Sequence, residues 1–410
     1  MRNHLAALLA LGTVIAAPAA AQLGVPPLGG AVGEVLGQVD RVVDPLERTA
    51  GGVAAATLRL AQARLGRLDT LLLRNRDAIE RDASGELARR GELLLLDPDE
   101  AQLSAAERAG FTLLGRDELG ELAMTVVRLR VPERMSLARA QRELERLLPG
   151  ATVSADNLHL PAGGTITASA AAAVTLAAPI DTPVGMIDGA PGRAQPVEVS
   201  RGFAEGAPRP SNHGSAVASL LAGAGVRRIA VADVYGSDPA GGNALAISRG
   251  IDWLTGLKVR IISISLTGPN NAVLGRSIAA ARQRGVIFVA AVGNDGPAAP
   301  PAYPASYPGV IAVTAVDGRN RALIEAGKAL HLDYAAPGAD IFVADAAGKR
   351  VKLRGTSYAV PLVAARAAAV LSPGQDVAAA LDREAVDLGR KGPDSTYGRG
   401  LICGACRPAR

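Results

Sequence analysis

The sequence predicts an α/β protein: a doubly wound, mostly parallel sheet preceded by a small α/β module. Three observations carry that expectation. Beyond Val184, short apolar runs alternate with helical segments. Between Gly91 and Leu160 the order reads β-α-β-β-α-β, which suggests a ferredoxin-like layer. Near the carboxyl end, Gly355-Thr-Ser-Tyr-Ala-Val-Pro361 reads as a glycine turn opening onto a helix over Ser357–Leu371, small and apolar all round and therefore buried.

Taken in order, Met1-Arg2-Asn3-His4, the apolar run Leu5–Ala17 and the small residues Ala19-Ala20-Ala21 read as an export signal over 1–21. A retained anchor is the alternative, though the run is short for a membrane span. Residues 22–90 form a linker and a helical segment: Gln22–Asp44 is rich in Gly and Pro, and Thr57–Leu68 shows apolar residues at helical spacing with arginines between them, expected as a solvated amphipathic helix. The module over 91–160 has strands at Glu92–Asp97, Phe111–Leu114 and Met124–Val131, helices at Ala101–Ala109 and Ser136–Leu148, and a last extended piece from Thr152. A linker over 161–180 leads to the sheet domain, 181–402. Its strands are expected at Val184–Ile187, Ile229–Ala232, Val259–Ile264, Val286–Ala290 and Val310–Val313, and its helices at Gly214–Ala222, Ala244–Leu254 and Ala272–Arg284. The tail 403–410 carries Cys403-Gly-Ala-Cys406. That pair suits a small disulfide, a redox pair or half a zinc site; export favours the disulfide, and a zinc site needs more ligands.

Composition narrows the function. At 410 residues and 49% hydrophobic, the chain can bury a large core without disulfide staples. The formal charge of +5 is modest, and no basic patch is interleaved with aromatics, so nucleic acid is not an expected partner. No run after the first residues is long and apolar enough to span a bilayer, so stable membrane insertion is not expected.

Four positions concentrate chemistry. Asp188 follows the strand Val184–Ile187, at the end where ligands collect in such sheets. His213 opens a helix, Asn294 lies in Gly-Asn294-Asp-Gly past another strand, and Ser357 opens the last buried helix. Singly, each has an ordinary reading as a turn or cap residue. Together they supply a nucleophile, an imidazole base, a carboxylate that fixes the tautomer, and an amide for an oxyanion.

The ordered segments Val-Gly-Met-Ile-Asp188, His213-Gly-Ser-Ala-Val-Ala, Ala-Ala-Val-Gly-Asn294-Asp-Gly, the run from Tyr303 to Asp317, Tyr334-Ala-Ala-Pro-Gly338, Gly355–Pro361 and Thr396-Tyr-Gly-Arg-Gly-Leu401 resemble the subtilisin-like serine peptidases. The resemblance implies a subtilisin-like sheet with Ser357 as nucleophile, His213 as general base and then acid, Asp188 orienting it, and Asn294 with the Ser357 N–H as oxyanion hole. It implies that Ser265, Leu266, Thr267 and Gly268 pair with substrate, that Ala291, Gly293 and Ala302 sit near the first specificity pocket with an apolar preference, and that the upstream module is an inhibitory propeptide whose tail Asp156–Leu160 lies in the cleft and is cut nearby. A permanent accessory domain is the alternative for that module. The implied product is a secreted or periplasmic serine endopeptidase made as a precursor, with protein or peptide substrates and its own propeptide as partners. No cofactor or metal ligand is identified; calcium stays open. Departures are Gly189 directly after Asp188, Ser215 where the family has a second histidine, and Thr267 where glycine is common. A silent, peptide-binding homologue is one rival. A serine esterase is another, disfavoured by the absence of Gly-x-Ser-x-Gly around Ser357.

Overall fold

The computed structural model describes residues 50–168, 178–193 and 195–406. The expected signal (1–21), most of the linker after it, part of the 161–180 linker and the end of the tail lie outside the described residues.

The chain begins with α1 (Ala50–Arg74), longer than the helix expected from the sequence. One face is not solvated as expected: Ala56 and Leu60 are buried, while Leu58, Leu65 and Leu73 are exposed. Leu68, Leu71 and Leu72 pack on Ile79, Leu87 and Leu158.

The small module follows as β1 (Ile79–Arg81), β2 (Leu87–Leu96), α2 (Glu100–Arg108), β3 (Thr112–Leu119), β4 (Met124–Arg130), α3 (Leu137–Leu147) and β5 (Thr152–Asn157). Asp99 caps α2 in a reciprocal box with Gln102, and Ser136 caps α3. Around β2 the antiparallel order is β5-β2-β4-β3, the ferredoxin-like arrangement, with β1 added on the other half of β2. The run Leu93–Leu96 is apolar without alternation because both faces of the sheet are covered. Leu93 and Leu95 join the module's own core with Leu103, Val127 and Leu144. Leu94 points the other way, into a core shared with the large domain.

After the two-residue β6 (Leu160–Pro161) and β7 (Gly164–Ala168), the large domain comprises β8 (Val184–Asp188), β9 (Val199–Gly202), α4 (Asn212–Gly223), β10 (Ile229–Asp233), α5 (Ala244–Gly256), β11 (Ile261–Ile264), β12 (Leu266–Thr267), α6 (Ala272–Gln283), β13 (Ile287–Ala291), β14 (Ile311–Val316), β15 (Tyr334–Pro337), β16 (Ala339–Ala344), β17 (Arg350–Arg354), α7 (Val360–Val370) and α8 (Val377–Glu384). Its seven-stranded sheet has the order β15-β14-β13-β11-β8-β10-β9, and every pairing in it is parallel. Strand order reverses at β8, so the carboxyl end of β8 is a crevice of the kind in which doubly wound sheets bind ligands. Successive residues of β11 face opposite cores: Ile261 lies with α4 and α7, Ile262 with α5 and α6.

Further features depart from the sequence-based expectations. The helix expected from Ser357 begins at Val360, with Pro361 in its first turn, and Ser357 sits in a separate 3₁₀ turn, Thr356–Tyr358. The hairpin β16–β17 and the edge strand β9 were not anticipated, because their charged and half-exposed residues hide the strand period. The extended piece expected from Thr152 is β5, which runs to Asn157 and buries the polar residues Ser154, Asp156 and Asn157. Cys403 and Cys406 are joined as a disulfide.

The module docks on the amino ends of two helices. The Asp156 carboxylate accepts from the Leu245 N–H at 2.9 Å, in the first turn of α5. The Asn271 side chain caps α6 through its Oδ1, and its Nδ2 donates to Ser154 Oγ, Ala155 O and Asn157 Oδ1 at 3.0, 2.8 and 2.9 Å. The first of these bonds gives a strand carboxylate to a helix N–H that has no partner inside its own helix, and the others tie the side chain that caps α6 to oxygens of the same strand.

Candidate active site

Asp188 closes β8 and is buried. Its Oδ1 accepts from the next N–H, Gly189, at 2.7 Å. Glycine at that position is steric, since a Cβ would stand 2.5 Å from Ser211 Oγ. Ser211 caps α4 through Gly214 N at 2.9 Å, which sets His213 in the first turn of α4. A Cβ on Gly214 would lie 2.0 Å from the Gly189 carbonyl, so helix and turn meet only without one. The result is His213 Nδ1 at 2.9 Å from both carboxylate oxygens of Asp188. Ser215, the departure beside His213-Gly, steadies the loop after Asp188, its Oγ accepting from Gly192 N at 2.9 Å.

Ser357 lies on the far wall, in the 3₁₀ turn between β17 and α7. Its backbone N–H donates to the Ala162 carbonyl at 2.9 Å, and Asn294 Nδ2 donates to the same oxygen. Asn294 is oriented by Thr356, whose N–H donates to Oδ1 at 3.0 Å and so turns the amide nitrogen toward Ala162. The Ser357 hydroxyl donates to the Ser265 carbonyl at 2.9 Å. His213 Nε2 has no hydrogen-bond partner among the described residues.

The chain's own segment His159–Gly163 runs through this cleft. The His159 N–H bonds Gly242 O at 2.8 Å, β6 pairs antiparallel with β12 (Leu160 opposite Thr267, Pro161 opposite Leu266), and the Ala162 N–H bonds Ser265 O at 3.0 Å. The peptide bond presented to Ser357 is therefore Ala162–Gly163, two residues beyond the Leu160 end expected from the sequence. His159 is wholly buried against Gly268, and burial lowers its pKa to about 4. Asp156, also wholly buried, is raised to about 7 by burial, with Arg89 at 3.6 Å opposing the shift.

The structure thus joins His213 to Asp188, brings Ser357 and Asn294 to one carbonyl, sets Tyr358, next to Ser357, beside the His213 ring, and lays Ser265, Leu266 and Thr267 along the tail. Gly268, Gly293 and Ala302 line a cavity beside Ala162 with Val292 and Pro301. Ala291, expected there, is not among its walls; it lies in β13 and is buried in the core. Thr267 does not obstruct the cleft and forms part of that cavity wall. Sequence reasoning missed the participation of α1: Arg64 and Arg67 both bind the Asp295 carboxylate, next to Asn294, and Leu60 lies over Gly296. It also missed Tyr358, whose ring lies beside that of His213 with centroids 5.7 Å apart. Among the described residues no group of three or more His, Cys, Asp or Glu could hold a metal ion, and no helix is long and apolar enough to cross a membrane.

A histidine held by a buried carboxylate, and a serine N–H and an amide that meet on one carbonyl, are set on a doubly wound parallel α/β sheet, the parts from which a Ser-His-Asp site is built. Comparison with known proteins is more specific. Residues 198–400 match the subtilase family, Peptidase_S8, the family that this part of the chain is similar to. It is 36% identical over 168 residues to subtilisin DY of Bacillus licheniformis, covering 39% of this chain and 61% of that protein. It is 30% identical over 207 residues to the minor extracellular protease Epr of Bacillus subtilis, covering 47% of this chain and 32% of the relative. The chain thus spans about a third to three fifths of the length of these relatives. Fervidolysin of Fervidobacterium pennivorans, a keratinolytic enzyme related to subtilisin, shares the fold at a TM-score of 0.62 and 16% identity, over 78% of this chain and 61% of that one.

Proposed function

We propose that the chain is a serine endopeptidase, made as a precursor whose residues up to Ala162 form an inhibitory and folding-assisting propeptide, and exported by the segment 1–21. The observation that carries this reading is the position of the Ala162 carbonyl. It accepts from the Ser357 N–H and from Asn294, the two donors that stabilise an oxyanion, while Asp188 and His213 are already joined. A peptide of the chain itself lies where a substrate lies.

The chemistry follows. The Ser357 hydroxyl leaves the Ser265 carbonyl, turns to His213 Nε2 and attacks the Ala162 carbonyl carbon, its proton passing to Nε2. Asp188 holds the Nδ1–H and stabilises the imidazolium. The oxyanion is met by donors already in place, each worth about 3 kcal/mol to the transition state. The bond to Gly163 breaks, His213 returns the proton to the Gly163 amine, and an ester of Ala162 with Ser357 remains. Water, deprotonated by His213, then releases the Ala162 carboxylate and restores the serine. Substrates in trans would pair with Ser265–Gly268 as β6 does, and the cavity of Gly293 and Ala302 supports an apolar preference before the cleaved bond.

One observation favours the rival, a silent peptide-binding homologue: the Ser357 hydroxyl is bonded to Ser265 and His213 Nε2 is unpaired among the described residues. Intact mass separates the two. The purified chain is expected to appear as two pieces cut after Ala162, and to take one phosphonyl group from a fluorophosphonate. Ser357→Ala is expected to stay uncut and unlabelled. A folded wild type that is never cut, and that stays unlabelled after trimming by another protease, leaves the binding reading.

A further inference from the structure

Resting on that peptidase reading, we infer that this site selects glycine immediately after the cleaved bond, and that Tyr358 is the residue that enforces the choice. Gly163 is buried between two walls. On one side, a Cβ built on it would stand 3.0 Å from Ser357 Cβ and 3.1 Å from both Cε2 and Cζ of the Tyr358 ring. On the other side lies Gly355, whose own Cβ would come within 2.9 Å of the Gly163 Cα and 2.8 Å of Asn294 Nδ2. Gly355 has φ +142°, a backbone conformation open to glycine and strained for other residues.

Neither the walls nor the substrate backbone can give way easily. Tyr358 is fully buried in the main core, beside the His213 ring. Ser357 is the nucleophile and cannot withdraw without losing its reach. The backbone before Gly163 is fixed by the two donors on the Ala162 carbonyl, and the backbone after it enters β7, where Gly164 pairs with Arg354 and the strand continues antiparallel along β17 to Ala168 opposite Val351. Relief by sliding would break one set of bonds or the other. The two sides of the bond therefore differ. Before it, Ala162 borders a cavity with room to spare. After it, a Cβ already meets three atoms at 3.0–3.1 Å, so a methyl group needs a shift of the wall and a larger side chain overpacks a buried ring.

The substrate class is thus an extended polypeptide with glycine directly after the cut, whose following residues add as a strand to β17. The chain's own junction, Ala162-Gly163-Gly164, fits it.

The test uses the matured enzyme and internally quenched peptides Leu-His-Leu-Pro-Ala-Xaa-Gly-Thr-Ile-Thr, with Xaa as Gly, Ala or Leu. The expected kcat/KM falls about tenfold from Gly to Ala and about a hundredfold or more to Leu, the range that overpacking a buried site produces. Tyr358→Phe is expected to keep the preference. Tyr358→Ala is expected to reduce the Gly-to-Leu ratio to about threefold or less, and Tyr358→Leu, which keeps the core apolar, to shift it in the same direction should the alanine variant not fold. Equal turnover of the Gly and Leu peptides by wild type overturns the inference while leaving the peptidase reading intact. An unchanged ratio in folded Tyr358→Ala overturns the assignment to Tyr358. No cut in any peptide, glycine included, overturns both.

Discussion

The sheet domain and the small module are held together by different physics. Inside the sheet domain, Ile262, Ile264, Phe288 and Leu245 are packed without solvent exposure to speak of, and cohesion comes from burying apolar surface. Between the domain and the module, the apolar contact of Leu94 and Met124 is supplemented by buried polar bonds: Asp156 to the first turn of α5, and Asn271 to three oxygens of β5. Apolar burial is insensitive to pH and tolerates no cavity. Polar caps between two pieces respond to pH and can be exchanged for water. The second kind of joint suits the proposed role of the module, which must hold and then leave.

The largest effect expected from this contrast lies in the sheet. Phe288→Ala should lower the unfolding free energy by about 3–5 kcal/mol, through lost burial and the cavity left behind. Denaturant titration of the uncut Ser357→Ala background reads it. A loss below about 1 kcal/mol would mean that the core collapses around the gap and that the contrast is overdrawn.

Next comes the joint. Asn271→Ala removes the cap of α6 and the amide donor to three buried oxygens of β5, leaving Asn157 Oδ1 stranded while Ala155 O keeps the Ser154 hydroxyl. Each unsatisfied buried group costs about 1–3 kcal/mol, so the module in the cut complex should dissociate about thirtyfold more readily, or beyond. Its release from the cut complex, followed by size-exclusion chromatography at rising dilution, measures this. Equal dissociation of mutant and wild type would assign the joint to its apolar contacts alone.

The joint should also answer to pH, in two opposed directions. His159 is buried with its pKa lowered to about 4, so between about pH 6.5 and 4 the released tail binds more protons than the docked one. That term weakens docking as pH falls, by about tenfold per unit at most. Asp156 is raised to about 7, so between about pH 3.8 and 7 the docked state binds more protons. That term is fully present below the lower value, is lost as pH rises through the upper one, and therefore strengthens docking on acidification. Arg89 and Arg249 oppose the rise of Asp156 and Glu92 adds to it, and Arg89 is shared with Asp238. The wild-type complex should change little between pH 6.5 and 5. His159→Gln should dock more tightly at pH 5 than at 6.5, and Asp156→Asn less tightly. Parallel profiles for all three proteins would remove both residues from the pH response.

How far the sequence was legible follows the same division. Strands such as Val184–Ile187 and Ile229–Ala232 stand out as apolar runs because the sheet buries both their faces. Asp188, His213, Asn294 and Ser357 stand out because the family resemblance orders them. The joint was not legible. Ser154, Asp156 and Asn157 fall in the extended piece and tail expected from Thr152 onward, but nothing in a sequence says that a carboxylate there will sit on the amino end of a helix nearly ninety residues away. The tail was expected to reach Leu160 with a cut nearby; Ala162 and Gly163 carry no chemical signal of their own, and only the donors converging on one carbonyl mark them. Tyr358 was visible within Gly-Thr-Ser-Tyr, but its role depends on what a Cβ at Gly163 would touch.

The smallest effect concerns α1, which the sequence presents as a solvated helix and the structure lays along the cleft rim. Arg64 and Arg67 converge on Asp295, which is about a third exposed. Exposed pairs of this kind are worth about 0–1 kcal/mol once solvent screening is counted. Leu60, fully buried over Gly296, has more to lose. Asp295→Asn should therefore loosen α1 by less than about 1 kcal/mol and become indistinguishable from wild type in 1 M salt, where the Debye length falls to about 3 Å. Leu60→Ala should loosen it by about 2–4 kcal/mol at any salt concentration. Hydrogen exchange of the α1 amides, in low and high salt, reads both. A salt-sensitive loss larger for Asp295→Asn than for Leu60→Ala would show that charge rather than burial seats the helix, and would place α1 with the polar joint instead of the core.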